Sequence, residues 1–190
     1  MARQALYAFL TRVLAAPLRG KESETLSFFA GSDTPLGQAV TDLLDALKKA
    51  DDSALDREYH DLFIGVGRGE MLPYASYYLT GFLNEKPLAE LRRNMKRLGF
   101  ARAEGVKEPE DHIASLCDVM SHLIEATQIS GGADIYEQDR FFSTHIKPWA
   151  GKFFADLKAA KSADTYRHIG RIGEIFMTIE EGGFAMIARA

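Results

Sequence analysis

Along most of the chain, apolar residues recur at intervals of three and four, the spacing that lines one stripe of an α-helix. Near the N-terminus Leu6, Phe9, Leu10, Val13 and Leu14 follow this spacing, which predicts a first helix within residues 1–18 with a buried stripe. The same segment carries Arg3 and Arg12 and no acid, as signal and transit peptides do. Arg12 interrupts its apolar run, however, and the periodic stripe favours a core helix. Pro17, Gly20 and Gly31 mark breaks around a short segment holding Leu26, Phe28 and Phe29. Asp33, Thr34 and Pro35 form a helix start, because a side-chain oxygen caps free amides and proline is tolerated in the first turn. Leu36, Val40, Leu43, Leu44 and Leu47 continue that helix. Asp51, Asp52 and Ser53 start another, with Leu55, Tyr59, Leu62 and Phe63 on one face and Gly65 at its end.

Gly65, Gly67 and Gly69 lie within five residues, which forbids a stable helix and predicts a loop running to Pro73. A tyrosine-rich helix with Tyr74, Tyr77, Tyr78 and Phe82 follows, then one from Pro87 through Leu88, Leu91, Met95 and Leu98 to a Gly99 cap. After a polar linker at 100–107, Pro109 is expected to open a long helix carrying Ile113, Leu116, Met120, Leu123 and Ile124 and closing at Gly131 and Gly132. Phe141, Phe142 and Ile146, then Trp149, Phe153 and Leu157, then Tyr166, Ile169, Ile172, Phe176 and Ile179 keep helical spacing to the end. Asn-Gly and Asp-Gly hairpin turns are absent. The expected fold class is therefore all-α: one compact multi-helix bundle over residues 1–190, with an N-terminal half at about 1–99, a connecting segment at about 100–107 and a C-terminal half at about 108–190.

Composition narrows the partners more than the fold. Of the 190 residues 46% are hydrophobic and 26% charged, which places the chain among ordinary globular proteins able to bury a core without staples. A net charge of −4 gives no basic surplus to neutralise phosphates, which argues against nucleic-acid binding. Cys117 is the only cysteine, so an intrachain disulfide is ruled out and a reducing compartment, the cytoplasm, is the simplest expectation. No run approaches the roughly 20 apolar residues that span a bilayer.

Candidate chemistry is sparse. The Gly65-x-Gly67-x-Gly69 loop suggests phosphate binding, but no Gly-Lys-Ser/Thr follows, Glu70 stands where a dinucleotide fingerprint has its third glycine, and the preceding element is a helix. A simple connecting loop explains it better. Glu108, Glu110, Asp111 and His112 are metal-capable, yet neighbours on one helical turn point in different directions and do not converge, and acids at a helix start suit its dipole. Cys117 sits among Leu116, Val119 and Met120 as a buried thiol would, and His60, His122, His145 and His168 are scattered. Arg92, Arg93, Lys96 and Arg97 make either an anion-binding strip or the solvated side of a helix. Residue types and spacing alone support a helical protein without a recognisable catalytic constellation.

Two segments carry a resemblance. Glu58-Tyr59-x-x-Leu62-Phe63-x-Gly65, then Gly67-x-Gly69-Glu70 and Pro73-Tyr74-x-Ser76-x-Tyr78, resembles the first signature of the TorD/DmsD/NarJ chaperones of redox enzyme maturation. Glu108-Pro109-x-Asp111-His112-Ile113 is similar to the second, and Phe141-Phe142-x-x-His145-Ile146-x-x-Trp149 to the closing helices. The resemblance implies a non-enzymatic, cytoplasmic, all-helical chaperone. Its implied partner is a molybdoenzyme precursor bearing a twin-arginine signal peptide, held without its cofactor and kept from premature export. Carried over by position, the signal-peptide site comprises Tyr59, Leu62, Phe63, Pro73, Tyr74, Tyr78, Glu108, Asp111 and His112. The chemistry agrees, because an apolar segment beside two guanidiniums needs an aromatic groove with carboxylates at one end. Leu62 and Phe63 are equally what a core helix needs.

The resemblance implies no resident cofactor or metal, although relatives bring weak guanine nucleotide binding as an expectation. They also suggest a monomer or a domain-swapped homodimer, with 100–107 as hinge. Where reductase chaperones often have tryptophan this chain has Tyr74, and its only tryptophan is Trp149. The Glu108 and Trp149 segments lean towards a formate dehydrogenase client over a DMSO/TMAO-type reductase. The alternatives are a generic helical interaction module and a small metal- or nucleotide-dependent enzyme.

Overall fold

The computed structural model describes residues 2–19, 24–102, 105–106, 108–130 and 135–187. Nine α-helices and no strand occur among them: α1 Ala2–Ala15, α2 Pro35–Leu47, α3 Asp52–Tyr59, α4 Ala75–Thr80, α5 Lys86–Arg97, α6 Ile113–Ser130, α7 Ile135–Phe141, α8 Ala150–Ala159 and α9 Tyr166–Ile187. A tight helical turn at Glu24–Phe29 and two wide π-turns, His60–Ile64 after α3 and Phe142–Ile146 after α7, complete the set. The all-α expectation holds. No helix among the described residues is long and apolar enough to cross a membrane.

The chain divides into two compact units. One holds residues up to Thr11 with Pro73–Trp149; the other holds Arg12–Leu72 with the residues from Ala150 onward. The division falls at Thr11–Arg12, within α1, at Leu72–Pro73 and at Trp149–Ala150, whereas the described residues of the 100–107 segment belong to the first unit. Positions 103, 104 and 107 of that linker, like Gly20, Gly131 and Gly132, lie outside the described residues.

Local signals set most boundaries. The Thr34 hydroxyl accepts the Gly37 amide at 3.1 Å with Pro35 in the first turn, and an Asp51 carboxylate oxygen accepts the Ala54 amide at 2.7 Å. α5 ends as expected at Gly99, whose φ of +82° lets the Phe100 amide turn back to the Met95 carbonyl at 2.8 Å.

One boundary differs from expectation. α6 begins at Ile113 instead of Pro109, because backbone groups on either side of His112 are taken by a distant strand-like pair. The Ala75 amide donates to the Asp111 carbonyl at 3.0 Å and the Ile113 amide to the Pro73 carbonyl at 2.9 Å. The tyrosine helix is also shorter than expected: it stops at Gly81, φ +82°, and leaves Phe82 beyond it, 70% exposed.

In the second unit α8 and α9 pack most extensively, and α9 also packs on α2. A Cβ at Gly173 would come within 2.2 Å of the Phe154 ring, and one at Gly170 would meet the Lys158 backbone nitrogen at 2.5 Å. Glycine here permits the close approach of two helices. Phe153, Phe154, Leu157, Ile169, Ile172 and Phe176 are buried there, as their spacing predicts, but Ile179 is 49% exposed while Glu180 is buried. The stripe has rotated by that point of a 22-residue helix.

Candidate functional site

The signature residues divide between the two units. In the second unit, Glu58, Tyr59, Leu62, Phe63 and Glu70 surround the π-turn and glycine loop. Gly65 has φ +61°, and a side chain there would collide with the Arg68 carbonyl. The loop is closed by the Met71 amide donating to the Leu62 carbonyl at 2.7 Å. The two acids brace the connection between α8 and α9. Glu70 accepts the amides of Lys161 at 2.7 Å and Ser162 at 2.9 Å, and Glu58 accepts those of Asp164 at 2.7 Å and Tyr166 at 2.6 Å.

Those bonds, the Lys161 amide first, hold the Glu70 carboxyl below its ordinary value. Tyr166 opens α9, so Glu58 satisfies a first-turn amide where negative charge suits the helix dipole. Glu58→Ala should therefore lower the unfolding free energy by about 1.5–3 kcal/mol, with Glu58→Gln intermediate. Urea titration checks this, and equal midpoints for all three proteins would show that the capping contributes nothing.

Tyr59, Phe63 and Tyr166 form a ring cluster, with centroids 5.1 Å apart for Tyr59–Phe63 and 5.7 Å for Phe63–Tyr166. The Tyr59 hydroxyl donates to the Leu14 carbonyl at 3.3 Å, and that of Tyr166 donates to Val13 at 3.1 Å while accepting the Leu18 amide at 2.9 Å. Leu62 has no exposed surface and Phe63 is half-buried.

In the first unit, Pro73 and Tyr74 are brought against Asp111 and His112 by the backbone pair that shortens α6, with the Glu108 charge felt at Tyr74, whereas Tyr78 lies further along α4. Tyr74 and His112 face each other across that bridge with ring centroids 5.1 Å apart, edge to face. Asp111 is fully buried; its Oδ2 accepts the Ser76 amide at 2.8 Å at the start of α4, and its Oδ1 has no hydrogen-bond partner. Asp111 thus caps α4 from a remote part of the chain. Burial first, then the charges of Glu108 and Asp111, raise the Tyr74 phenol above its ordinary value. Burial pushes the His112 imidazole down to about 4, against the opposing charges of Glu108 and Asp111. Its Nδ1 accepts the Ala114 amide at 3.1 Å, which requires the neutral ring at that nitrogen.

Two neighbours extend the signature set. Tyr78 lies against Trp149, centroids 5.3 Å apart, and the Trp149 indole donates to the His145 carbonyl at 2.8 Å. The signal for Trp149 was present, as the only tryptophan, four residues after His145. Glu110 holds Arg92 through Nε at 3.0 Å and Nη2 at 2.8 Å, and Glu137 holds Arg97, so two residues of the Arg92, Arg93, Lys96 and Arg97 strip on α5 are tied in surface ion pairs. No cluster of three metal-capable side chains occurs among the described residues.

A family model described as the nitrate reductase delta subunit matches residues 30–155. The chain belongs to this family, that of the TorD/NarJ chaperones. It is 32% identical over 148 residues to the chaperone protein TorD of Vibrio cholerae serotype O1 (strain ATCC 39541), covering 71% of this chain and 67% of that one. To TorD of Vibrio parahaemolyticus it is 29% identical over 190 residues, covering 90% and 88%. The crystal structure of a putative redox enzyme maturation protein from Archaeoglobus fulgidus has the same fold, with a TM-score of 0.58 over 94% of each chain at 18% identity. As a TorD-family member the chain is a chaperone of redox enzyme maturation and not an enzyme.

Proposed function

We propose that this TorD-family chaperone works in the cytoplasm, where it binds the twin-arginine signal peptide and the cofactor-free catalytic subunit of a molybdoenzyme, assists cofactor insertion and delays export. The observation that carries this reading is the half-buried Tyr74 ring beside His112 and Asp111, where one oxygen of a buried carboxylate remains without a partner. A carboxylate bordered by rings is what a peptide with guanidiniums next to an apolar segment requires. Curated relatives named as TorD chaperones support the same reading, and a formate dehydrogenase or a DMSO/TMAO-type reductase suits it as client.

The first test is co-purification with leader-bearing and leaderless forms of such a subunit, with preferential recovery of the leader-bearing form expected. The second uses Asp111→Asn, whose amide oxygen can still accept from Ser76 while the charge is lost. Leader affinity measured by calorimetry should fall by about tenfold with the fold intact. Equal recovery of both forms and an unchanged affinity together would end the leader reading.

A further inference from the structure

The leader reading gives no role to His145, which lies in the π-turn Phe142–Ile146. Wide turns of this kind interrupt the regular helical ladder and recur at functional positions. With α4 and α5, this one borders a cavity of about 320 Å³ inside the unit that holds Pro73–Trp149.

His145 is 6% exposed and joins three parts of that unit. Its Nε2 accepts the Asn94 side-chain amide of α5 at 2.8 Å, its carbonyl accepts the Trp149 indole at 2.8 Å, and its ring lies against Phe141 with centroids 5.1 Å apart. An amide N–H can donate only to a ring nitrogen that carries no proton. Protonation of Nε2 therefore sets donor against donor, and the Asn94 bond and the charged ring exclude each other. Burial holds the imidazole below its ordinary value, against the opposing charge of Glu90 on α5. Lys86 of α5 and Asp111, just before α6, are the other charged groups lining the cavity, whereas α4 and α6 present the uncharged Ala75, Leu79, Thr80 and Leu116 to it.

We propose that Asn94 and His145 form a proton-sensitive catch: the neutral ring holds α5 against the π-turn, and the charged ring lets go, loosening the α5 wall of the cavity. Leu88, Leu91 and Met95 remain buried beneath α5, so release loosens the helix without detaching it. The ion pairs of Arg92 and Arg97 lie at the surface and do little to replace the lost bond. Because the imidazole is lowered from 6.5, release comes below that pH. The inference is independent of what the cavity admits.

Trp149 is the only tryptophan and is bonded to His145, so its fluorescence reports on the catch. The full chain is titrated from pH 7 downwards over the range in which far-UV circular dichroism shows it folded. Hydrogen exchange of the α5 amides, corrected for the intrinsic effect of pH, is followed in parallel. The native protein should show a fluorescence step, and α5 should lose about tenfold of its protection across it. His145→Gln, whose side-chain oxygen can accept from Asn94 without titrating, should abolish both changes. Asn94→Asp, at a half-buried position, puts a carboxylate where it pairs with the charged ring, so the step should move up by about one pH unit. No step before unfolding, constant α5 protection through it, a step that survives in His145→Gln, or one that stays in place in Asn94→Asp would each overturn the proposal.

Discussion

Replacing Trp149 with alanine is expected to destabilise the protein by about 3–5 kcal/mol, within the usual range for emptying a buried tryptophan site. The indole is 2% exposed, lies against the Tyr78 ring and donates to the His145 carbonyl at 2.8 Å. Truncation removes the packing and leaves that carbonyl without its donor, inside the unit that also holds Tyr74 and Asp111. Because domains typically have only about 5–15 kcal/mol of stability, the variant should lie near its unfolding threshold. Trp149→Phe keeps a ring against Tyr78 and loses the hydrogen bond, so a smaller loss of about 1–2 kcal/mol is expected. Urea unfolding followed by far-UV circular dichroism measures both, since Trp149→Ala removes the only tryptophan fluorophore. A loss below about 1 kcal/mol for the alanine variant would mean that the site collapses around the missing ring.

Features encoded within a few residues were legible in the sequence. Thr34 and Asp51 cap the helices that their side chains suggested, and Gly99 ends α5 where a left-handed residue was expected. The apolar stripe of α1 is buried at Leu6, Phe9, Leu10, Val13 and Leu14 as its spacing predicts. Features that depend on remote partners were not legible. Pro109 reads locally as a helix start, but Asp111 and Ile113 give their backbone groups to Ala75 and Pro73, more than 30 positions away, and the helix waits until Ile113. Nothing near residue 142 announces the π-turn there, in which the Lys147 amide reaches the Phe142 carbonyl at 2.9 Å, because periodicity sees a stripe and not the length of its hydrogen bonds.

The signature acids show the same limit. By position, Glu58 and Glu70 belong to the first signature; in the fold they accept four backbone amides from residues 161–166. Asp111 accepts the Ser76 amide while keeping one oxygen without a partner. A motif residue can thus serve the connection it braces, a ligand, or both. Only the geometry of its second oxygen separates these cases, and at Asp111 that geometry leaves room for a role beyond capping.

Acidification should weaken the protein well before its carboxylates are protonated, and His112 is the main reason. Its imidazole is 8% exposed, accepts the Ala114 amide through Nδ1 and is pushed from 6.5 down to about 4 by burial. Between those values the unfolded chain binds a proton that the folded chain refuses, so unfolding becomes easier as pH falls from about 6.5 towards 4. A shift of that size corresponds to a loss on the order of 3 kcal/mol by the bottom of the window. Burial also lowers His145 and His168, so both add to the slope in the same direction. The contribution of His112 is therefore isolated by His112→Asn, whose side-chain oxygen can replace Nδ1 as acceptor for Ala114 but does not titrate. Unfolding free energies measured from pH 7 to pH 4 should fall less steeply for this variant, by an amount on the order of 3 kcal/mol across the window. Parallel curves for the two proteins would mean that the folded chain accommodates a charged imidazole at position 112.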